Sequence, residues 1–287
     1  MSSGFRSVGI VMDPKEEHEG EGVLIRRTIG SERMVLLDPI LLLDHLTVPP
    51  SSDAAEGIGF PRHPHRGIET LTYVLAGHVH HKDSRGNDSG VGAHGTQWMT
   101  AGRGIFHEEY LEPGESGCEA LQIWFNLPAA EKMKPAGYRP AQAEEIPEVE
   151  LAGGATVRVV AGVFEGKTGP LQGVAVDPTY LDVHLPAGVS VTLPARQGET
   201  ALAYLYRGQA IFGTGDGATS VAAARLIVLC DGEGVQVTAS AEEAARFIFV
   251  TARPLNEPVL QYRSLVMNTV EEMKQALDDL QNGTFDR

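Results

Sequence analysis

Short segments rich in β-branched, aromatic and leucine residues recur along the chain, and glycine, proline or aspartate separates them. The clearest examples are VLIRRTIG (23–30), ETLTYVLAG (69–77), CEALQIWFNL (118–127), TVRVVAG (156–162), LDVHL (181–185), ALAYLYRGQAIFG (201–213) and ARFIFVTA (245–252). Segments of this length and composition are typical of β-strands. Their regular punctuation favours an all-β barrel or sandwich over units that alternate strands with helices.

The end of the chain has a different pattern. Apolar residues recur there at the spacing of one helical face, at Val270, Met273, Leu277 and Leu280. Thr269 and Glu272 have the spacing of a capping box, in which each side chain bonds the backbone N–H of the other residue. The sequence therefore predicts a single amphipathic C-terminal α-helix whose role is packing.

Two stretches of the chain resemble each other at a nearly constant offset. Tyr73 and Gly77 of ETLTYVLAG match Tyr204 and Gly208 of ETALAYLYRG, 131 residues later, and GRG at 102–104 matches GEG at 232–234 with an offset of 130. Repetition at one offset indicates a duplicated unit. Because the segment 128–150 is rich in Pro, Ala, Glu and Lys, it has the composition of a linker. We therefore expect two tandem β-barrels, one over 1–135 and one over 136–287 that ends in the helix.

The overall composition argues against two classes of partner, namely nucleic acids and membranes. The formal net charge is −15, whereas a protein that grips phosphates needs clustered lysines and arginines, so direct nucleic-acid binding is disfavoured. No apolar run approaches the roughly 20 residues that cross a membrane, and the N-terminus lacks the apolar run of a secretory signal. Only two cysteines occur, Cys118 and Cys230, which argues against a disulfide framework. We expect a cytoplasmic protein that does not associate with membranes.

Histidines crowd one part of the chain, and four side chains there have the spacing that a metal site requires. His63 and His65 are two residues apart, and so are His107 and Glu109. On a strand, residues two apart point to the same face, so two neighbouring strands could aim three imidazoles and one carboxylate at one ion. This donor set suits iron, manganese, nickel, copper, zinc or cobalt better than calcium or magnesium.

The duplication tests whether these residues serve folding. At the offsets of 131 and 130, the four positions correspond to Pro194, Arg196, Val237 and Ala239. All four candidate ligands are thus missing from the second copy, although its glycines and strand residues persist. We interpret the ligands as one functional unit that the fold itself does not need.

Other residues near these four compete for the same role. Glu69 shares strand parity with His65 and is an alternative to Glu109, whereas Glu108 should face away from His107. The cluster at His78, His80 and His81 lacks a partner pair elsewhere in the sequence. We expect these three histidines to lie on a strand near the barrel mouth, where one or two of them could contact a ligand.

Long motifs resemble the pirin family of the cupin superfamily. They are GFPRHPHRGIET (59–70), QWMTAGRGIFHEE (97–109), LLLDHL (41–46), QIWFNLP (122–128) and PLNEPVLQYRSLVMNTVEEMKQAL (254–277), which together span nearly the whole chain. The resemblance implies two jelly-roll-like cupin barrels, with a metal ion, usually iron, in the N-terminal one. It also implies that His63, His65, His107 and Glu109 are the ligands, because the pirin pattern takes its carboxylate two residues after the third histidine.

The resemblance further implies a function. Several pirins are similar to quercetin 2,3-dioxygenases, so we expect an Fe(II)-dependent enzyme that opens a flavonol with O₂, with Glu109 as the catalytic base that accepts the substrate's hydroxyl proton. The alternative is a regulatory protein without turnover, which binds a transcription factor or a metabolic enzyme according to the state of its metal. The acidic composition suits a protein partner at least as well as it suits an enzyme.

Overall fold

The computed structural model describes residues 4–50 and 58–287; residues 1–3 and 51–57 of the predicted first domain lie outside this description. The described strands, in chain order, are β1 (Val8–Met12), β2 (Lys15–Glu19), β3 (Val23–Ile29), β4 (Ile40–Val48), β5 (Gly59–His65), β6 (Ile68–Ala76), β7 (His78–Asp83), β8 (Asp88–Gly92), β9 (Thr96–Thr100), β10 (Ile105–Glu112), β11 (Cys118–Asn126), β12 (Gly137–Ala141), β13 (Glu148–Glu150), β14 (Thr156–Ala161), β15 (Val163–Phe164), β16 (Lys167–Thr168), β17 (Thr179–Leu185), β18 (Ser190–Pro194), β19 (Thr200–Arg207), β20 (Gln209–Phe212), β21 (Thr219–Ala222), β22 (Arg225–Leu229), β23 (Gly234–Ala239), β24 (Ala245–Ala252), β25 (Leu260–Tyr262) and β26 (Leu265–Met267). One α-helix, α1 (Val270–Asn282), follows them. The predicted all-β fold with a C-terminal helix is confirmed.

Two compact units carry these strands. The first barrel comprises the described residues of Lys15–Glu145 and Leu255–Arg287, and the second comprises those of Met1–Pro14 and Ile146–Pro254. The first barrel has a sheet of order β12-β9-β6-β11-β4-β3-β2 and a smaller sheet of order β5-β10-β7-β8. The second has the corresponding sheets, β1-β22-β19-β24-β17-β14-β13 and β18-β23-β20-β21. The strand orders match position by position, as the predicted duplication requires.

The unit boundaries differ from the sequence-based division at residue 135. The predicted linker contains β12, which pairs with β9 through Tyr138↔Met99 and so belongs to the first barrel. The helix α1 packs against β26 and also belongs to the first barrel, although the sequence assigned it to the second. Chain order alone misplaced these segments because strand pairing and apolar contacts, rather than sequence position, decide which barrel a segment joins.

The glycines that reveal the duplication form equivalent turns. Gly77 joins β6 to β7 with φ +76°, and Gly208 joins β19 to β20 with φ +74°. A Cβ atom at Gly208 would lie 2.0 Å from the carbonyl oxygen of Ala244, and one at Gly77 would lie 2.9 Å from that of Glu112. Only glycine combines the left-handed backbone with this close approach, which explains its presence in both copies.

The two barrels have different interiors. In the second, hydrophobic side chains from both sheets fill the space between them, including Leu193, Phe212 and Phe249. In the first, a hydrophobic cluster around Ile25 and Val74 takes up only part of the interior. The first barrel also buries many polar side chains, among them the candidate ligands, beside a further hydrophobic cluster that includes Met99 and Ile105.

The helix α1 begins with the predicted capping box, since Thr269 accepts a bond from the backbone N–H of Glu272 and the Glu272 side chain accepts one from that of Thr269. Met273 is buried and Leu277 is half-buried, but Val270 is 52% exposed and does not share the packed face. Arg66 ties the helix to the first barrel through an ion pair of 2.7 Å with Asp279. Across the described parts of the chain, no helix has the length and apolarity needed to span a membrane.

Candidate metal centre

The strands β5 and β10 place three of the predicted ligands side by side. These strands pair antiparallel, with His107 opposite His63 and Ile105 opposite His65. Side chains of β10 alternate between buried and half-buried, so His107 and Glu109 both face the interior. The arrangement is the one that the two-residue spacing predicts.

The three imidazoles lie close enough to share one ion. One ligand nitrogen from each of His63, His65 and His107 lies within 4.8 Å of the other two. The Nε2 atoms of His63 and His65 are 2.9 Å apart. Two nitrogens at right angles around one ion, each at about 2.1 Å from it, are about 3 Å apart, so this spacing fits coordination.

The protonation states of these rings also suit a metal. Burial lowers the pKa of both His65 and His107 well below the usual value for histidine, and the neighbouring imidazoles lower it further. Both rings are therefore neutral near pH 7 and retain a lone pair for an ion. The Nε2 atom of His107 is buried and has no hydrogen-bond partner among the described residues. A bound ion would satisfy this atom.

Glu109 lies beside His107 and is held by uncharged donors. Its carboxylate accepts hydrogen bonds from Gln122 Nε2 at 2.8 Å, Gln97 Nε2 at 3.2 Å and Thr72 Oγ1 at 3.3 Å. One of its oxygens lies within 4.8 Å of one ligand nitrogen from each of His107 and His81. The predicted ligands therefore fall into two triads that share His107, one of three histidines and one that contains Glu109.

The competing carboxylates have other partners. Glu69 is buried and accepts hydrogen bonds from Thr100 Oγ1 at 2.7 Å and Lys134 Nζ at 3.0 Å. Glu108 is half-buried and accepts a bond from Tyr110 Oη at 3.3 Å. Neither belongs to a potential metal-binding group of the described residues, whereas Glu109 shares one with His107 and His81, so the geometry favours Glu109 as the carboxylate ligand.

Of the three histidines expected on a strand near the barrel mouth, His81 faces the interior beside the candidate ligands. His81 is 1% exposed and lies opposite Glu109 on the strand pair β7–β10. Its Nδ1 contacts Nδ1 of His107 at 3.4 Å. The neighbouring His80 behaves as expected, since it is partly exposed and pairs with the exposed Asp88 at 2.7 Å. The sequence signal for His81 was limited to its alternation with His80 on one strand, because only the pairing of β7 with β10 brings it opposite Glu109.

A hydrogen-bonded chain reaches Glu109 from the predicted linker. Ser89 donates to Tyr138 Oη at 3.3 Å, Tyr138 donates to Gln97 Oε1 at 2.7 Å, and Gln97 donates to Glu109. Burial raises the pKa of Tyr138 to about 12, so its hydroxyl remains a donor. Tyr138 was not recognisable as a site residue, because β12 forms only by pairing with β9.

The second barrel shows which residues stand at the positions of the predicted ligands. Strand pairing aligns His107 with Val237 and Glu109 with Ala239, as predicted. It aligns His63 and His65 with Val191 and Leu193, rather than with the predicted Pro194 and Arg196, because the connection β18–β19 is three residues longer than β5–β6. All four replacements belong to the hydrophobic core of the second barrel.

Comparison with known proteins agrees with this architecture. The Pirin family model matches residues 22–125, and the model of the Pirin C-terminal cupin domain matches residues 180–286. A relative from Pseudomonas aeruginosa, provisionally named a quercetin 2,3-dioxygenase, is 39% identical over 271 residues, or 93% of each chain.

Solved structures extend the comparison to the fold. A quercetin 2,3-dioxygenase from Acinetobacter baumannii superposes with a TM-score of 0.87, at 30% identity over 98% of each chain. The bacterial pirin YhhW from Escherichia coli, solved in complex with nickel(II), shares the fold with a TM-score of 0.65 and 18% identity over 85% of this chain and 99% of its own. With two duplicated cupin barrels, a cluster of histidines and a glutamate in the first, and relatives matched over nearly the full length, the chain belongs to the pirin family.

Proposed function

We propose that this pirin is a metal-dependent dioxygenase that opens the central ring of a flavonol such as quercetin. Two comparisons support the substrate class: the relative from Pseudomonas aeruginosa carries a quercetin dioxygenase name, and so does the superposed structure from Acinetobacter baumannii. The observation that carries the proposal is the position of Glu109, a carboxylate held by neutral donors beside His107, which is also a member of the cluster of three histidines.

His63, His65, His107 and Glu109 would hold the ion. We propose Fe(II) as the bound ion, although manganese, nickel, copper, zinc and cobalt suit the same donors. When bound, such an ion supplies Lewis acidity and, if it is redox-active, one-electron chemistry with dioxygen. The buried, neutral imidazoles supply lone pairs without a cost of deprotonation near pH 7.

Glu109 would also accept the proton of the flavonol hydroxyl. Gln97, Gln122 and Thr72 orient its carboxylate but bring no positive charge that would compete with the substrate's proton. The Gln122 amide is itself oriented, because its Oε1 accepts a bond from Trp124 Nε1 at 3.4 Å. The carboxylate is thereby fixed in place before a substrate arrives.

Aromatic side chains beside the histidines suit a flat aromatic substrate. Trp124 meets His65 edge-on, with ring centroids 4.9 Å apart, and Phe60 lies 6.5 Å from His63. Both aromatic residues are only half-buried. A flavonol could therefore place its rings against apolar surface while its hydroxyl approaches Glu109.

The test is oxygen uptake by iron-loaded protein with a panel of flavonols, together with loss of flavonol absorbance. We expect stoichiometric consumption of the two substrates by the unchanged protein. E109Q should lose about 100-fold or more in turnover, as expected for removal of a catalytic base. The matched control is E108Q, which changes the neighbouring carboxylate on the same strand and should retain activity.

A flat oxygen trace for every flavonol, with the ion shown to be bound, would contradict the dioxygenase proposal. Capture of a protein partner that depends on the oxidation state of the iron would then favour the regulatory alternative. The cytoplasmic location remains a prediction that fractionation of the native cells would test.

A further inference from the structure

His81 and Asp83 are two inward-facing residues of β7 that the ligand assignment leaves unused. Both are buried, with side chains 1% and 0% exposed, and His81 Nε2 lies 3.1 Å from Asp83 Oδ2. The same hairpin carries an outward pair of the same residue types, His80 and Asp88. Burial of an acid and an imidazole next to the metal ligands requires an explanation, since buried polar groups are costly unless they are hydrogen-bonded.

The hydrogen bonds determine where the protons lie. An ionised carboxylate only accepts, so His81 Nε2 must carry the proton that bonds Asp83. A neutral His81 then has its lone pair on Nδ1, which faces Nδ1 of His107 at 3.4 Å. In that pairing His107 donates from Nδ1, and its own lone pair is left on Nε2. That is the buried atom without a hydrogen-bond partner among the described residues.

Asp83, at the outer end of this series of hydrogen bonds, is held in place by several donors. Asp83 Oδ1 accepts bonds from the backbone N–H groups of Arg85 at 2.8 Å and Asn87 at 3.1 Å, and Oδ2 accepts one from Asn87 Nδ2 at 2.8 Å. The Tyr138 ring stacks on His81 with centroids 4.1 Å apart and planes 6° apart. Both the carboxylate and the plane of the imidazole are therefore fixed by their surroundings.

The second barrel again provides an internal comparison. There, strand pairing puts Ala210 at the position of His81 and Phe212 at the position of Asp83. Both belong to its hydrophobic core. His81 and Asp83 are thus absent from the copy that lacks the ligands, as expected if they serve the ligands rather than the barrel.

We propose that His81 and Asp83 are positioning residues that hold His107 in its Nδ1–H tautomer, so that its Nε2 lone pair points to the ion. Such hydrogen bonds to the outer nitrogen of a ligating histidine fix the ring and raise its basicity. The inference rests on the metal-binding part of the proposed function and is independent of the flavonol reaction.

The first test uses unchanged, metal-free protein labelled with ¹⁵N-histidine. Long-range ¹H–¹⁵N correlation spectra at neutral pH should show His81 protonated on Nε2 and His107 protonated on Nδ1. The opposite tautomer at His107 would overturn the proposal. Because this measurement needs no variant of His81 or Asp83 and no substrate, it remains decisive if variants fold poorly or if flavonols are not turned over.

The second test measures the affinity for Co²⁺ by titration and the number of bound imidazoles by X-ray absorption. H81F keeps a ring against Tyr138 but removes both nitrogens, and D83N offers an amide that can donate to His81 and reverse its tautomer. We expect each to weaken Co²⁺ binding about 10- to 100-fold with the number of imidazole ligands unchanged.

H80F and D88N are the matched controls, because they change the same residue types on the outward face of the hairpin. They should bind Co²⁺ like the unchanged protein. Loss of one imidazole from the Co²⁺ shell in H81F would overturn the positioning role and make His81 a direct ligand. Unchanged affinity in both H81F and D83N would overturn it as well.

Discussion

Gln122 Nε2 lies 2.8 Å from Oε2 of Glu109, and this is the shortest of the hydrogen bonds that the carboxylate receives from the described residues. Q122L would remove this donor while keeping the volume. We expect metal-free protein to lose about 1 to 3 kcal/mol of unfolding free energy, because a buried carboxyl group loses a hydrogen-bond donor. Since a bound ion would compensate, the loss should be smaller with metal, and denaturant unfolding with and without Co²⁺ would show it. An equal loss in both states would contradict Glu109 as a ligand.

The carboxylate of Glu69 should contribute to the stability of the first barrel but, unlike that of Glu109, not to its metal affinity. Because Glu69 is paired with Lys134 and Thr100, E69Q should reduce stability but leave metal affinity unchanged. K134M should cost about 1 to 3 kcal/mol by leaving the buried Glu69 carboxylate short of a donor. Metal titration and thermal unfolding of the two variants test both statements. Loss of the ion in E69Q would make Glu69 the carboxylate ligand instead.

Acidification should destabilise the metal-free first barrel. Burial holds the pKa of His65 and His107 below the value of about 6.5 that they have in an unfolded chain. Below that pH the unfolded state binds more protons than the folded state, so stability falls as pH decreases. Unfolding measured between about pH 7 and pH 5 should show this decline. The double variant H65L/H107V should flatten this dependence of stability on pH. It introduces the aliphatic residue types found at the equivalent sites Leu193 and Val237. An unchanged slope would contradict the conclusion that His65 and His107 cause the decline.

The N-cap of the C-terminal helix should stabilise the first barrel in particular. T269A removes the side-chain oxygen that accepts from the backbone N–H of Glu272, and should cost about 1 kcal/mol. Hydrogen exchange should accelerate around β26 and leave β24 of the second barrel unaffected. Faster exchange in β24 instead would place the helix with the second barrel.

Local patterns were sufficient for the elements of the fold and for the placement of each predicted ligand pair on one strand. The strand segments are short and well punctuated, and the pairs His63/His65 and His107/Glu109 each lie on one face of a strand. The duplication was visible because Gly77 and Gly208 cannot be replaced in their turns.

Features that depend on pairing between distant segments could not be predicted from local sequence patterns. The register that sets His81 opposite Glu109 spans 28 residues, and no local pattern fixes it. Tyr138 lies in a segment whose composition predicts a linker, and its role depends on the pairing of β12 with β9. The extra residues between β18 and β19 shifted the predicted equivalents of His63 and His65.

The exchange of terminal segments has a practical consequence for anyone who dissects this protein. The strand β1, near the start of the chain, belongs to the second barrel, while the helix near its end belongs to the first. Any single cut in the backbone therefore yields fragments in which at least one barrel lacks an edge strand or its helix. Isolated halves would expose apolar surface and aggregate, so the duplicated units must be produced, purified and mutated as one polypeptide.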